Sequence, residues 1–225
     1  MKYKIFNFLK ALFYPKACLV CNISGETFFC QKCFEKLFLL TKCLRCGQVL
    51  EDFNCKFCSN LFECDSFCIM SEYSKLQNFV YKNKLEPLYS NSTNFSLSKF
   101  IKKIDRNFND ICFVPTRSGS HWMYLYLNEV DKRKVFAPLL KNPLKLSQKL
   151  LNRDDRIINS MNLFIRSDDL RENLDSILLI DDVLSTGNSL KSAINELKMI
   201  GYKNIFVLIF SYQKIKKVIG ESDEK

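Results

Sequence analysis

Eight of the eleven cysteines in this 225-residue chain stand in four Cys-x-x-Cys pairs: Cys18/Cys21, Cys30/Cys33, Cys43/Cys46 and Cys55/Cys58. The second two pairs repeat the first two with a displacement of 25 residues, and Leu19/Leu44, Glu26/Glu51 and Phe28/Phe53 keep the same offset. A unit this short cannot bury a core of its own. A tetrahedral metal can take the core's place, because zinc binding free energy becomes folding free energy. Four thiolate ligands leave no open position for water, so such a site is structural. Repeat symmetry gives each unit its own zinc. An interleaved arrangement, first pair with third and second with fourth, also satisfies the spacing, so one or two structural zincs are expected. Redox-active Cys-x-x-Cys motifs do not normally come in regular tandem, and paired thiolates at this spacing indicate a reducing compartment rather than a disulfide framework. Cys64 and Cys68 follow at looser spacing and read as core or free thiols. Cys112 lies in the apolar run Ile111-Cys112-Phe113-Val114, where a small apolar side chain suffices.

The length suits one ordinary domain and a smaller one. We place the boundary after the repeat: 1–62 as a zinc-binding domain, 63–225 as a larger α/β domain. Apolar residues make up 47% of the chain, enough for a sizeable core. The stretch Met1 to Tyr14 is basic and apolar, but Asn7 and Lys10 interrupt it and no small-residue cleavage site precedes Pro15. No run approaches the length of a spanning helix, so a cytoplasmic protein without a membrane span is expected. The formal charge is +10. Each four-thiolate zinc site adds about −2, which brings the chain near roughly +6 with two sites filled. Phosphate-bearing partners fit that surplus, as does a solvated lysine-rich surface.

The second informative segment runs from Ile177 to Leu197. Ile177-Leu178-Leu179-Ile180 reads as a buried strand, and Leu190, Ala193, Ile194 and Leu197 recur as one face of a helix. Between them lie Asp181 and Asp182, then the loop Ser185-Thr186-Gly187-Asn188-Ser189. Two carboxylates at the end of a strand can hold a diol or a divalent metal. The loop offers hydroxyls, backbone N–H groups and a helix N-terminus to a phosphate, and Gly187 lets the backbone approach that anion.

Elsewhere the chain alternates strands and helices, the pattern of a parallel sheet. Phe67-Cys68-Ile69-Met70 reads as a first strand, 74–84 as a short basic helix, 95–108 as a helix with Leu97, Ile101, Ile104 and Phe108 on one face, and 111–114 as a strand. Residues 116–120 form a polar turn into a helix near 121–130. Val135–Leu140 is a further strand candidate that Pro138 weakens. Residues 142–162 lack periodicity, as lid segments do. A strand at 177–180, a helix at 188–200 stopped by Gly201 and a strand at 205–210 complete the order. Ligands of such a sheet sit at the carboxyl ends of its strands.

Residues 177–190 resemble the phosphoribosyl pyrophosphate signature of type I phosphoribosyltransferases, with Ser185 where Thr is more usual. The resemblance implies that Asp181 and Asp182 contact the ribose hydroxyls and that Ser185, Thr186, Gly187, Asn188 and Ser189 cradle the 5′-phosphate. The chain as a whole resembles the ComF/GntX family, the competence proteins. Leu12-Phe13-Tyr14-Pro15 leading to Cys18-Leu19-Val20-Cys21, Lys82 after a short apolar helix, Val114-Pro115, the Gln148…Arg156-x-x-Asn159…Phe164 pattern and residues 178–190 follow that family's order. One departure is Arg117-Ser118-Gly119-Ser120-His121-Trp122, where the family usually carries Arg-Gly-Phe-Asn-Gln. The implied fold is a type I phosphoribosyltransferase-like parallel sheet domain with a small N-terminal zinc-binding domain.

Two functions follow from the resemblance. One is transfer of phosphoribose from phosphoribosyl pyrophosphate, with Mg²⁺, to an acceptor. In it Asp181 and Asp182 are the catalytic pair, and Lys82, Arg117, Arg153 or Arg156 clamp pyrophosphate. The other is handling of single-stranded DNA with other DNA-uptake proteins in natural transformation, in which Phe79, Tyr81, Lys82, Lys84 and Tyr89 interleave basic and aromatic residues. A metabolic phosphoribosyltransferase without a DNA role is the alternative. His121, the only histidine, reads as a structural or surface residue.

Overall fold

The computed structural model describes residues 17–18, 20–21, 23–24, 29–38, 40–85, 96–104, 108–116, 121–143, 163–168 and 171–214. Four strands form a parallel sheet: β1 (Ser66–Glu72), β2 (Asp110–Phe113), β5 (Ser176–Leu184) and β6 (Asn204–Tyr212), in the order β1-β6-β5-β2. Two short strands, β3 (Leu139–Lys141) and β4 (Phe164–Arg166), pair antiparallel beside it. Helices α1 (Gln31–Phe38) and α2 (Lys56–Phe62) belong to the cysteine repeat. Helices α3 (Tyr73–Leu85) and α4 (Leu97–Lys103) link β1 to β2, α5 (Glu129–Arg133) precedes β3, and α6 (Asn188–Ile200) links β5 to β6.

The chain crosses the sheet one way from β1 to β2 and returns from β5 to β6. Right-handed crossovers running in opposite directions put their helices on opposite faces. One apolar cluster joins Met70, Leu178, Ile180, Leu208 and Phe210 to Leu76, Phe79 and Val80 of α3 and Phe100 and Ile101 of α4. The other joins Ile69, Ile177, Leu179, Val207 and Ile209 to Leu190, Ala193, Ile194 and Leu197 of α6. Alternate residues of each strand therefore feed opposite layers, which is why strands covered on both faces read as continuous apolar runs.

The cysteine repeat is also a backbone repeat. Cys18 N–H donates to Ile23 O at 2.9 Å and Cys43 N–H to Gln48 O at 2.8 Å, and the bridges Ala17–Ser24 and Lys42–Val49 keep the same offset. The two units lie astride edge strand β1. Phe29, with Val20 and Phe34 packed against the same layer, joins the α3/α4 side, while Cys43, Cys55, Cys58 and Phe62 join the α6 side. Cys55 N–H donates to Phe67 O at 2.9 Å, and Phe67 N–H donates to Asn54 Oδ1 at 3.0 Å. An edge whose backbone is partnered in this way is blunted against pairing with another chain.

Four expectations change in detail. The segment after the polar turn is not one helix. A 3₁₀ turn (Trp122–Tyr126) is capped by His121, whose Nδ1 accepts Met123 N–H at 3.3 Å, and extended Leu127 separates it from α5, capped by Asn128. The strand expected at Val135–Leu140 splits: Val135 makes a single parallel bridge to Ile111, and only residues 139–141 form a strand, past Pro138. The central strand runs to Leu184 rather than ending before the acids, so Asp181 and Asp182 lie within its ladder beside β6. The helix expected at 95–108 spans Leu97–Lys103 among the described residues; Leu97, Ile101 and the capping Ile104 are buried as its spacing implied, and Phe108, buried too, lies outside it. The lid segment falls almost wholly on residues 144–162, outside the described residues.

Candidate ligand site and metal centres

Each repeat gathers its own four cysteines. Cys18, Cys21, Cys30 and Cys33 form one group and Cys43, Cys46, Cys55 and Cys58 the other, with the sulfurs of each group within 4.8 Å of one another. A ZnS₄ tetrahedron with bonds of about 2.3 Å has S–S edges of about 3.8 Å. The Sγ atoms of Cys21 and Cys30 are 3.8 Å apart, those of Cys43 and Cys58 3.8 Å, and those of Cys46 and Cys55 3.4 Å. These separations fit a metal and are far too long for disulfide bonds. The electrostatics also repeat. Burial works against ionisation of Cys18, but the N–H groups of Cys21, Cys30 and Val20 outweigh it and bring the thiol down to about 6. Cys43 is brought down to about 5, first by its hydrogen bond from Cys58 and then by the N–H groups of Cys46 and Arg45. The groups could hold structural zinc. Cys64, Cys68 and Cys112 join neither group: burial raises each thiol to about 12, and Cys64 lies beside the carbonyls of Ser59 and Ser66.

The central strand β5 carries the acid pair. Asp182 is 7% exposed and Asp181 half-buried. Asp182 Oδ2 accepts the indole N–H of Trp122 at 3.1 Å and pairs with Lys84 Nζ at 2.6 Å. Its main-chain carbonyl accepts the hydroxyl of Ser211 on β6 at 2.8 Å. Asp181 Oδ1 accepts the N–H of Asp182 at 2.9 Å. The two carboxyls therefore differ. Burial and the adjacent Asp182 charge push Asp181 up to about 7. For Asp182 burial acts the same way, but the Lys84 ammonium and the hydrogen bonds from Lys84 and Trp122 win and hold it below the usual carboxylate value.

His121, Asp181 and Asp182 each bring one ligand atom within 4.8 Å of the others. The imidazole is 6% exposed, stacked on Phe113 at 4.8 Å, and lowered by burial to about 4, so it is neutral at pH 7. Because Nδ1 accepts the Met123 N–H, the proton sits on Nε2, which has no hydrogen-bond partner. A protonated ring nitrogen is a donor and not a metal ligand. The carboxylates are thus the groups suited to a cation here, and oxygen donors suit Mg²⁺.

A cleft of about 790 Å³ opens beside the pair at the carboxyl end of β2. Phe113, Trp122, Leu125 and Leu140 give it apolar walls, and Lys84 and His121, which adjoin the acid pair, line it, whereas Asp181, Asp182 and the loop 185–189 do not. Below the acids the loop turns into α6. Ser185, Thr186 and Asn188 are exposed, Ser189 is half-buried, and Thr186 Oγ1 accepts the Asn188 N–H at 3.5 Å. Gly187 has φ 89°, and a Cβ there would stand 2.8 Å from the Phe62 ring. Only glycine satisfies both constraints.

The acid pair and the loop residues thus lie together at the carboxyl end of one central strand. Arg117, Arg153, Arg156 and the side chain of Lys82 lie outside the described residues. Lys84, Trp122 and His121 were not singled out for the site by sequence. Lys84 and Trp122 reach Asp182 from positions 98 and 60 residues away, and no local pattern encodes such a meeting. The described chain contains no helix long and apolar enough to cross a membrane. Compared with protein-family models and with curated proteins, the chain matches none.

Proposed function

We propose that this is a phosphoribosyltransferase-like protein of the ComF type that binds phosphoribosyl pyrophosphate at the carboxyl end of β5. The observation carrying the reading is the continuous run of an acid pair, a loop turned by Gly187 at φ 89° and the start of a 13-residue helix. Asp181 and Asp182 would hold the ribose diol. The N–H groups at the start of α6, which have no intrahelical partner, and the hydroxyls of Ser185, Thr186 and Ser189 would take the 5′-phosphate. Mg²⁺, when bound with the ligand, offsets pyrophosphate charge. In transfer, the C1–oxygen bond to pyrophosphate breaks and a bond from C1 to an acceptor forms. The protein's part is positioning and electrostatic stabilisation. Lys84 would leave Asp182 as ligand hydroxyls arrive, since its side chain is about half exposed.

A role in DNA uptake rests on the family resemblance and on the basic charge. Phe79 lends it nothing, because its ring is buried among Phe29, Trp122, Tyr126 and Phe210. The experiment is calorimetric titration of phosphoribosyl pyrophosphate with Mg²⁺ into the wild type and the Asp181→Asn/Asp182→Asn double variant. Binding should vanish in the variant while zinc content is kept. Equal affinity in both would remove the site from the proposal.

A further inference from the structure

The second cysteine unit touches the ligand loop. Helix α2 carries Cys58 and ends one turn later on Phe62. The Phe62 ring is buried, stacks on Phe67 of β1 at 5.1 Å and an interplanar angle of 11°, and lies under the Arg45 guanidinium at 4.8 Å. Arg45 is itself in the turn between Cys43 and Cys46, and its N–H supports the Cys43 sulfur. On the remaining side stands Gly187, so close that a Cβ would come within 2.8 Å of Phe62 Cε1 and Cζ. Beside this contact Glu63, the left-handed cap of α2, pairs with Lys198 of α6 at 3.1 Å.

We infer that Phe62 is a positioning residue for the loop 185–189: its ring, fixed by the second cysteine unit, sets where Gly187 lies and so where the first N–H groups of α6 point. A close-packed contact transmits small displacements because interiors have little free volume. A flat ring permits the approach of a bare Cα, and a smaller side chain would leave a gap into which the loop can relax. Metal at Cys43, Cys46, Cys55 and Cys58 anchors α2 at Cys58, and through Phe62 it reaches the loop without touching the ligand. The ligand named in the test rests on the phosphoribosyl reading, whereas the mechanical link does not.

The test uses the full zinc-loaded chain and the variants Phe62→Ala and Phe62→Leu. It measures zinc content, amide hydrogen exchange without ligand at Lys191, whose N–H donates to Gly187 O at 2.8 Å, and calorimetric binding of ribose 5-phosphate and of inorganic pyrophosphate. Phe62→Ala should keep its zinc, accelerate exchange at Lys191 by about tenfold or more, weaken ribose 5-phosphate by about tenfold and leave pyrophosphate unchanged. Phe62→Leu, which keeps the site filled if the alanine variant does not fold, should shift each quantity in the same direction by less. Unchanged exchange in the variants overturns the inference whatever the wild type binds. Equal weakening of both probes also overturns it, since that marks general support of the fold. A wild type that binds neither probe defeats the phosphoribosyl reading, while the exchange result still decides the link to Phe62.

Discussion

Asp181 carries a proton that a surface aspartate would have lost. Burial and the Asp182 charge raise it from 3.8 to about 7, so the folded chain holds the proton across a window in which the unfolded chain has released it. Stability from this group is complete below the unfolded value and is lost as pH rises through about 7. At about 1.36 kcal/mol per unit the loss over the whole window is of the order of 4 kcal/mol. Asp181→Asn should therefore gain stability relative to wild type between pH 5 and pH 8. Denaturant midpoints for both proteins at the two pH values check this, and a constant difference would refute it. Cation or diol binding prefers the ionised carboxylate, so Mg²⁺-dependent affinity should rise with pH up to about 7. Lys84 and Trp122 explain why the pair's chemistry was only partly legible. Two adjacent aspartates announce themselves in sequence, but what separates their protonation is an ammonium from α3 and an indole N–H from the 3₁₀ turn.

At the scale of elements, periodicity carried the furthest where one local physical cause acts. The 25-residue cysteine offset became a repeat of hydrogen bonds and helices, because the same knuckle recurs around each sulfur group. Two zincs per chain are expected by elemental analysis. Cys18→Ser and Cys43→Ser should each lower the count by one, and a count of one in the wild type would contradict separate sites. Where two causes compete, sequence was less informative. The Trp122 segment has helical composition, yet it is a single 3₁₀ turn started by the His121 cap and stopped by extended Leu127, and the apolar demands of Phe79 and Phe210 set its packing. The basic and aromatic interleaving of α3 turned out to be two faces, with Phe79 in the core and Tyr81 64% exposed. Phe79→Ala should cost about 3–5 kcal/mol through the cavity it leaves. Thermal or denaturant unfolding measures that cost, and a loss under about 1 kcal/mol would contradict the packing.

For the whole molecule, two cysteine units astride β1 blunt the edge of the sheet, and the second reaches the loop 185–189 through Phe62. The second cysteine group and the candidate ligand loop are thus joined by one packed contact, Phe62 against Gly187. Chelation of zinc should weaken phosphoribosyl pyrophosphate binding even though no cysteine is among the proposed ligand contacts. If single-stranded DNA is a partner, its affinity should fall steeply with salt, with a log–log slope of about −0.7 per phosphate contacted, and a flat response would count against that partner. The central claim concerns the acid pair, and the chain's one tryptophan reports on it, since Trp122 donates its indole N–H to Asp182 at 3.1 Å. Titration of phosphoribosyl pyrophosphate with Mg²⁺ into ¹⁵N-labelled protein should move that single indole resonance along a saturable curve, and an indole signal that stays in place at millimolar ligand would contradict the account.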